Sequence, residues 1–303
     1  MIYRRFRAKE GKILIWGLFV IFIVVFFSLQ NNYFSKKALK EQTIKAENLM
    51  SAGDYKNAVL AYKSALSGKS HNEQLTIGLA NAYAGLDQYD KALEVLRTCY
   101  KGNPSKRLCE EIEVISTKQT DYDYQQYISR AEVYHANKEY KKAITAYEKA
   151  KRIKSKEITS YQRITAVYIA MQEYERAREE AIEGQAITKD DSFSVLLDLI
   201  EAGILETEYN KLMEQAKEYA VHENYDKAID EYEKAAQLKP EDIAAYKEIA
   251  KLYITTKEYE RAEIVLDKAL SIDRDKELNN LLSQAKELKE EEFSGFVWQQ
   301  IEN

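Results

Sequence analysis

The side chains best suited to metal or nucleophilic chemistry are three histidines and two cysteines, and their spacing supports neither use. His71, His135 and His222 stand alone, with no His-x-x-x-His pair and no adjoining Cys, so the ligand sets of a structural or hydrolytic zinc site are missing. Cys99 replaces a small residue in a repeated pattern, and Cys109 follows on the next helix. Two buried thiols, or a disulfide between adjacent helices, would both suit that placement. The sequence has no glycine-rich phosphate loop and no nucleophile elbow. Its 50 Asp and Glu are interleaved with 45 Lys and Arg along helical stretches, the pattern of solvated faces rather than of a catalytic carboxylate pair. A net charge of −5 and a pI near 5.6 argue against a general nucleic-acid binder. The expectation is a protein that binds through its surfaces: no enzyme, no cofactor, no metal and no small-molecule substrate.

Those surfaces must be carried by helices. With two prolines and ten glycines in 303 residues, the chain has few breakers and reads as almost wholly helical with short turns. Tyrosine is abundant, at 23 residues, and it is ordered. Tyr55, Tyr89, Tyr140, Tyr174, Tyr225 and Tyr259 are each followed three residues later by Ala58, Ala92, Ala143, Ala177, Ala228 and Ala262. Ten residues after each tyrosine stand Ala65, Cys99, Ala150, Gly184, Ala235 and Ala269, and nine before stand Ala46, Ala80, Ala131, Thr165, Ala216 and Ala250. Six before stand Leu49, Tyr83, Tyr134, Tyr168, Tyr219 and Tyr253. Small residues at helical spacing let a neighbouring helix approach, and the tyrosines fill the space beside them.

At these positions the chain resembles the tetratricopeptide repeat (TPR) family, whose unit is a helix–turn–helix of about 34 residues. The resemblance covers roughly residues 40–276. It departs from the family pattern at Gln42, Thr76 and Leu212, where an aromatic is usual, and four copies lack the closing proline that Pro104 and Pro240 supply. It implies an all-α, TPR helical-repeat solenoid and a binding face on the first helix of each repeat. By alignment that face carries Gln74, Ile77, Asn81, Gln125, Ile128, Ser129, Glu132, Gln162, Arg163, Lys217, Lys247 and Lys251, with protein or peptide ligands as the implied partners. A clamp for a terminal carboxylate is not expected, because Thr43, Glu47 and Gly78 occupy positions where clamp residues would be needed.

The marker tyrosines are separated by 34, 51, 34, 51 and 34 residues, and 51 is one repeat plus one further helix. The chain therefore reads as three copies of an 85-residue module: 40–123, 124–208 and 209–293. Each holds two TPRs and a closing helix, near 107–123, 192–208 and 277–293. Ten residues before the markers, Lys45, Arg130 and Gln215 are polar in the first TPR of each pair, while Leu79, Ile164 and Ile249 are apolar in the second. A helix that opens a module has lost one neighbour, which accounts for the alternation. From Leu108 to about His135 nothing forces a break, so one long helix is expected across the first junction; the second contains only Gly203.

The ends differ from the array. Residues 1–12 form a basic flank with Arg4, Arg5, Arg7, Lys9 and Lys12, and residues 13–30 read as a transmembrane helix. Within that span Ile13 to Leu29 is apolar except for Gly17 and Ser28, with Trp16, Tyr33 and Phe34 near its edges. The run ends without a small-x-small cleavage site and reads as an uncleaved signal anchor. Residues 31–39 read as a linker. The basic flank favours an N-terminus in the cytoplasm and an array outside it, although Lys36, Lys37, Lys40 and Lys45 follow the span. The expected role is a bacterial envelope scaffold or adaptor anchored to the bilayer through Ile13–Leu29; the alternative is a cytosol-facing receptor or co-chaperone. At the other end, residues 294–303 form an aromatic tail after Glu290–Glu292. Phe293, Phe296 and Trp298 serve either as a cap on the last helices or as a docking segment.

Overall fold

The computed structural model describes the backbone of residues 2–67 and 72–302 and the side chains of residues 22–30, 33, 35–67 and 72–294. Among the described residues there are thirteen helices and no strand. In order they are α1 (Ile2–Ser51), α2 (Tyr55–Leu66), α3 (Glu73–Ala84), α4 (Tyr89–Gly102), α5 (Lys106–Ala136), α6 (Tyr140–Ile153) and α7 (Ile158–Ala170). There follow α8 (Tyr174–Thr188), α9 (Ser192–Val221), α10 (Tyr225–Leu238), α11 (Ile243–Thr255), α12 (Tyr259–Ile272) and α13 (Lys276–Glu302).

All six marker tyrosines are the first residue of a helix. The turn before each is built the same way. The residue two places earlier is left-handed: Gly53 (φ 76°), Asp87 (57°), Lys138 (59°), Gln172 (59°), Glu223 (56°) and Lys257 (64°). The amide of the next residue then donates to the carbonyl of the residue six before the tyrosine, from Asp54 to Leu49 through Glu258 to Tyr253, at 2.8–3.0 Å. This is the six-to-one bond of a Schellman ending, which satisfies a carbonyl the helix leaves open.

The small residues do what their spacing implies. The alanines at +3 and −9 and Thr165 are fully buried, and the +10 residues are buried throughout. Of the alternating set, Leu79, Ile164 and Ile249 lie in the core while Lys45, Arg130 and Gln215 are exposed.

The chain divides into two compact units, Met1–Arg130 with Arg152–Lys154, and Ala131–Lys151 with Ser155–Asn303. The core of the first runs from Ala46 through Tyr62, Ile77, Tyr83 and Leu96 to Leu108 and Ile115. In the second, one cluster gathers Tyr161, Ala177, Ala181, Phe193 and Ile200, and another runs from Tyr209 through Tyr232, Tyr246 and Leu266 to Ala285.

Both expected closing helices at the junctions continue into the next repeat, within α5 and within α9. Gly203 does not interrupt α9. A Cβ there would stand 2.2 Å from the Tyr174 ring, so the glycine admits a close approach rather than a break. The stretch read as a linker, residues 31–39, is helical within α1, and the tail backbone is helical within α13 to Glu302. Neither stretch contains a proline, and Gly295 alone does not stop α13.

In α1, the side chains of residues 22–30 are exposed, Phe22, Phe26, Phe27 and Leu29 among them. Among the described residues, no helix is long and apolar enough to cross a membrane. The side chains of residues 13–21, Trp16 included, and of Phe34 lie outside the described residues, as do residue 71 and the side chains of Phe296 and Trp298.

Candidate partner-binding surface

The twelve residues expected on the inner face fall into the two units, six in each. In the first unit, α3 carries Gln74, Ile77 and Asn81, and α5 carries Gln125, Ile128 and Ser129. Gln74, Gln125 and Ser129 are exposed and Asn81 is half-buried. Ile77 and Ile128 are corrections to the expected surface, being 7% and 6% exposed. Their side chains point with the small residues into the packing between helices, where an isoleucine removes apolar area from water at about 25 cal/mol per Å².

In the second unit five of the six expected residues are engaged. Arg163 on α7 lies 3.5 Å from Glu132 at the end of α5, so two of the expected residues meet as an exposed pair. Gln162 donates through Nε2 to Ser192 Oγ on α9 at 2.8 Å. Lys247 on α11 reaches Glu277 (2.9 Å) and Asp275 (3.5 Å). Lys251 reaches Glu248 (2.9 Å) and Glu277 (3.1 Å). The hydrogen bond from Lys247, then that from Lys251, holds the Glu277 carboxyl below the ordinary glutamate range. The bond to Glu277 chiefly raises Lys247. Lys217 on α9 is exposed. The first unit therefore offers exposed amides and a hydroxyl, and the second charged side chains, each a set that suits hydrogen bonding to a peptide or a helix.

Charged side chains that read as solvated surface have a second task. In five of the six second helices a cation two residues after the marker tyrosine lies over a tyrosine in the last turn of the preceding helix: Lys91 over Tyr83, Lys142 over Tyr134, Arg176 over Tyr168, Lys227 over Tyr219 and Arg261 over Tyr253, at 5.6–5.9 Å; α2 has Asn57 there instead. Only the recurrence of a basic residue two places after the marker tyrosine hinted at this. Deeper in the second unit, Lys151 lies 4.4 Å from the Tyr161 ring centre and bonds Glu180 and Glu183, each at 2.9 Å. Burial pushes the Glu180 carboxyl up against the pull of Lys151. On Lys151 burial acts downward, but the two carboxylates outweigh it and hold the ammonium charged.

The residues first considered for chemistry are scattered. Cys99 is buried and Cys109 exposed, both free, so the pair forms neither two buried thiols nor a disulfide. The His135 ring lies 5.9 Å from that of Tyr140, and His222 caps α9. Among the described residues, no group of three His, Cys, Asp or Glu side chains could hold a metal ion. At the far end, Phe293 is 70% exposed and so does not act as a packed cap. It borders an open groove of about 870 Å³ between α12 and α13, with Tyr259, Glu263 and Lys289.

Family models for the tetratricopeptide repeat match residues 49–99 and 222–285, and a second such model matches residues 125–157. The chain carries tetratricopeptide repeats. Between the matched stretches, residues 158–221 hold Tyr174 and Ala177 of the same pattern, with Thr165 and Gly184 at positions where most other copies carry alanine. No curated protein matches the sequence. Among solved structures, the TPR domain of P58(IPK) is 15% identical, with 84% of this chain and 99% of that one covered and a TM-score of 0.30. A thermophilic TPR protein of Thermus thermophilus is 17% identical over 71% and 99%, with a TM-score of 0.26. A TPR protein from Parabacteroides merdae is 18% identical over 82% and 99%, with a TM-score of 0.23. TPR proteins generally mediate protein–protein or peptide binding, and the fold is typically a non-enzymatic scaffold.

Proposed function

We propose that the protein is a membrane-anchored TPR scaffold that holds protein or peptide partners on the first helices of its repeats and organises envelope proteins outside the cytoplasm of a bacterium. The observation that carries the binding part is the set of exposed polar side chains on those helices, Gln74 on α3, Gln125, Ser129 and Glu132 on α5, Arg163 on α7 and Lys217 on α9. What supports anchoring is the apolar run Ile13–Leu29 after a basic flank, together with the exposure of residues 22–30.

A second reading places the array in the cytosol as a receptor or co-chaperone. The four lysines that follow the apolar run favour it, because they weaken the charge bias that sets orientation. Protease added to intact spheroplasts separates the two. Digestion of residues 40–303 supports the extracytoplasmic array, and protection supports the second reading. Cofractionation with membranes that resists salt and alkali is expected in both, and its loss would contradict the anchor.

A further inference from the structure

The 85-residue period supplies an internal control for one surface. It pairs Val195, Leu199, Ala202 and Leu205 on α9 with Glu110, Val114, Thr117 and Thr120 on α5, and with Asn280, Gln284, Glu287 and Glu290 on α13. All three sets lie on the side of the closing helix turned to solvent. Two are polar or nearly so, and the α9 set is apolar. Val195 is 70% exposed, Leu199 54% and Leu205 38%, and Ala202 between them is exposed as well. Their spacing of four, three and three residues draws one stripe, opposite Phe193 and Ile200, which are fully buried. The stripe therefore lies on the other side of α9 from the core it closes. Isolated exposed apolar residues such as Val114 are ordinary, but a continuous stripe whose equivalent is wholly polar on α13 and polar but for Val114 on α5 marks a site of interaction.

The margins of the stripe indicate what covers it. From residue 190 to residue 210 there is no Lys or Arg, while six residues are acidic. Glu201 is paired with Arg178 and Glu206 with Lys239, so those two charges are answered within the fold. Asp191 and Asp198 stand exposed beside Val195. An isologous contact with a second copy would bring these acids together, and an anionic bilayer surface would repel them. A partner with basic margins is complementary to them.

We propose that the outer face of α9 between residues 191 and 206 docks an amphipathic helix of another protein, with Leu- or Ile-like side chains on one stripe and Lys or Arg at its edges. This surface is separate from the first-helix residues above and does not depend on their role. The test uses the full-length chain in lipid nanodiscs and two labelled synthetic helices of about 18 residues, enough for a stable amphipathic face. Both carry a leucine stripe; one has lysine margins and the other glutamate margins. Fluorescence anisotropy should show saturable binding of the lysine helix, weaker as salt rises, and little binding of the glutamate helix. Val195→Asn with Leu199→Gln, the residues found at the α13 positions, should weaken binding at least ~10-fold while the thermal melt stays unchanged. Asp191→Asn with Asp198→Asn should flatten the salt dependence. Failure of the lysine helix to bind, equal binding of both helices, or affinity unmoved by the Val195 and Leu199 changes would overturn the proposal. So would a concentration-dependent dimer that the same changes abolish, because it would assign the stripe to a second copy.

Discussion

Gly184 occupies a position where the other repeats carry Ala65, Cys99, Ala150, Ala235 and Ala269. Repeat consensus and helix propensity both favour alanine there, the latter by about 1 kcal/mol. The packing opposes it. A Cβ at Gly184 would stand 2.5 Å from the Phe193 ring and 2.8 Å from Tyr161 Cβ, and both neighbours are buried. Gly184→Ala is therefore expected to destabilise the protein by about 1–3 kcal/mol, the range for overpacking a filled core; chemical denaturation would check this, and a gain in stability would show that Phe193 can yield. Glu277 supplies a pH-dependent term of predictable sign. Its folded pKa is depressed, so its contribution is present above the ordinary glutamate value of 4.5 and is lost as the pH falls through the lower folded value. Glu277→Gln should make the loss of melting temperature between neutral and acid pH shallower. An unchanged slope would mean that Lys247 and Lys251 gain nothing from Glu277 beyond what solvent gives.

At the scale of the element, the marker tyrosines and small residues were legible because packing of adjacent helices leaves one pattern at one spacing. The turns were not legible. Five of the six left-handed residues are Asp, Lys, Gln or Glu, and only Gly53 carries the usual signature. The six-to-one hydrogen bond and the packing on either side hold the others in place against the crowding of Cβ, which costs roughly 1–2 kcal/mol per residue. Lys257→Gly should relieve part of that and raise stability by about 0.5–1 kcal/mol, the greater freedom of glycine in the unfolded chain offsetting the rest. Destabilisation on urea titration would mean that Lys257 contributes contacts its geometry does not display. The long helices α5 and α9 were foreshadowed by the scarcity of breakers, whereas the passage of α1 through residues 31–39 was not, because Asn31, Asn32 and Ser35 weaken a helix without stopping it. Among the candidate residues, alignment fixed the helix that carries each one but could not separate Ile77 and Ile128, which are buried, from Gln74, Gln125 and Ser129, which are exposed.

At the scale of the molecule, a chain of repeats presents many first helices, and the proposed work is to hold other proteins. The polar residues on those helices differ in how far the fold already engages them. Lys247 and Lys251 are tied to α13, whereas Gln125, Ser129 and Lys217 stand exposed. Partner contact is accordingly expected to centre on the second group, since the first must give up its ion pairs to bind. Site-specific photo-crosslinking in native membranes tests this most directly. A photoreactive residue at position 125, 129 or 217 should give discrete adducts with other proteins. One at Glu94 or Asp230, exposed on second helices, should give none. Adducts confined to the second helices, or the same adducts from both sets, would contradict a scaffold that works through the first helices of its repeats.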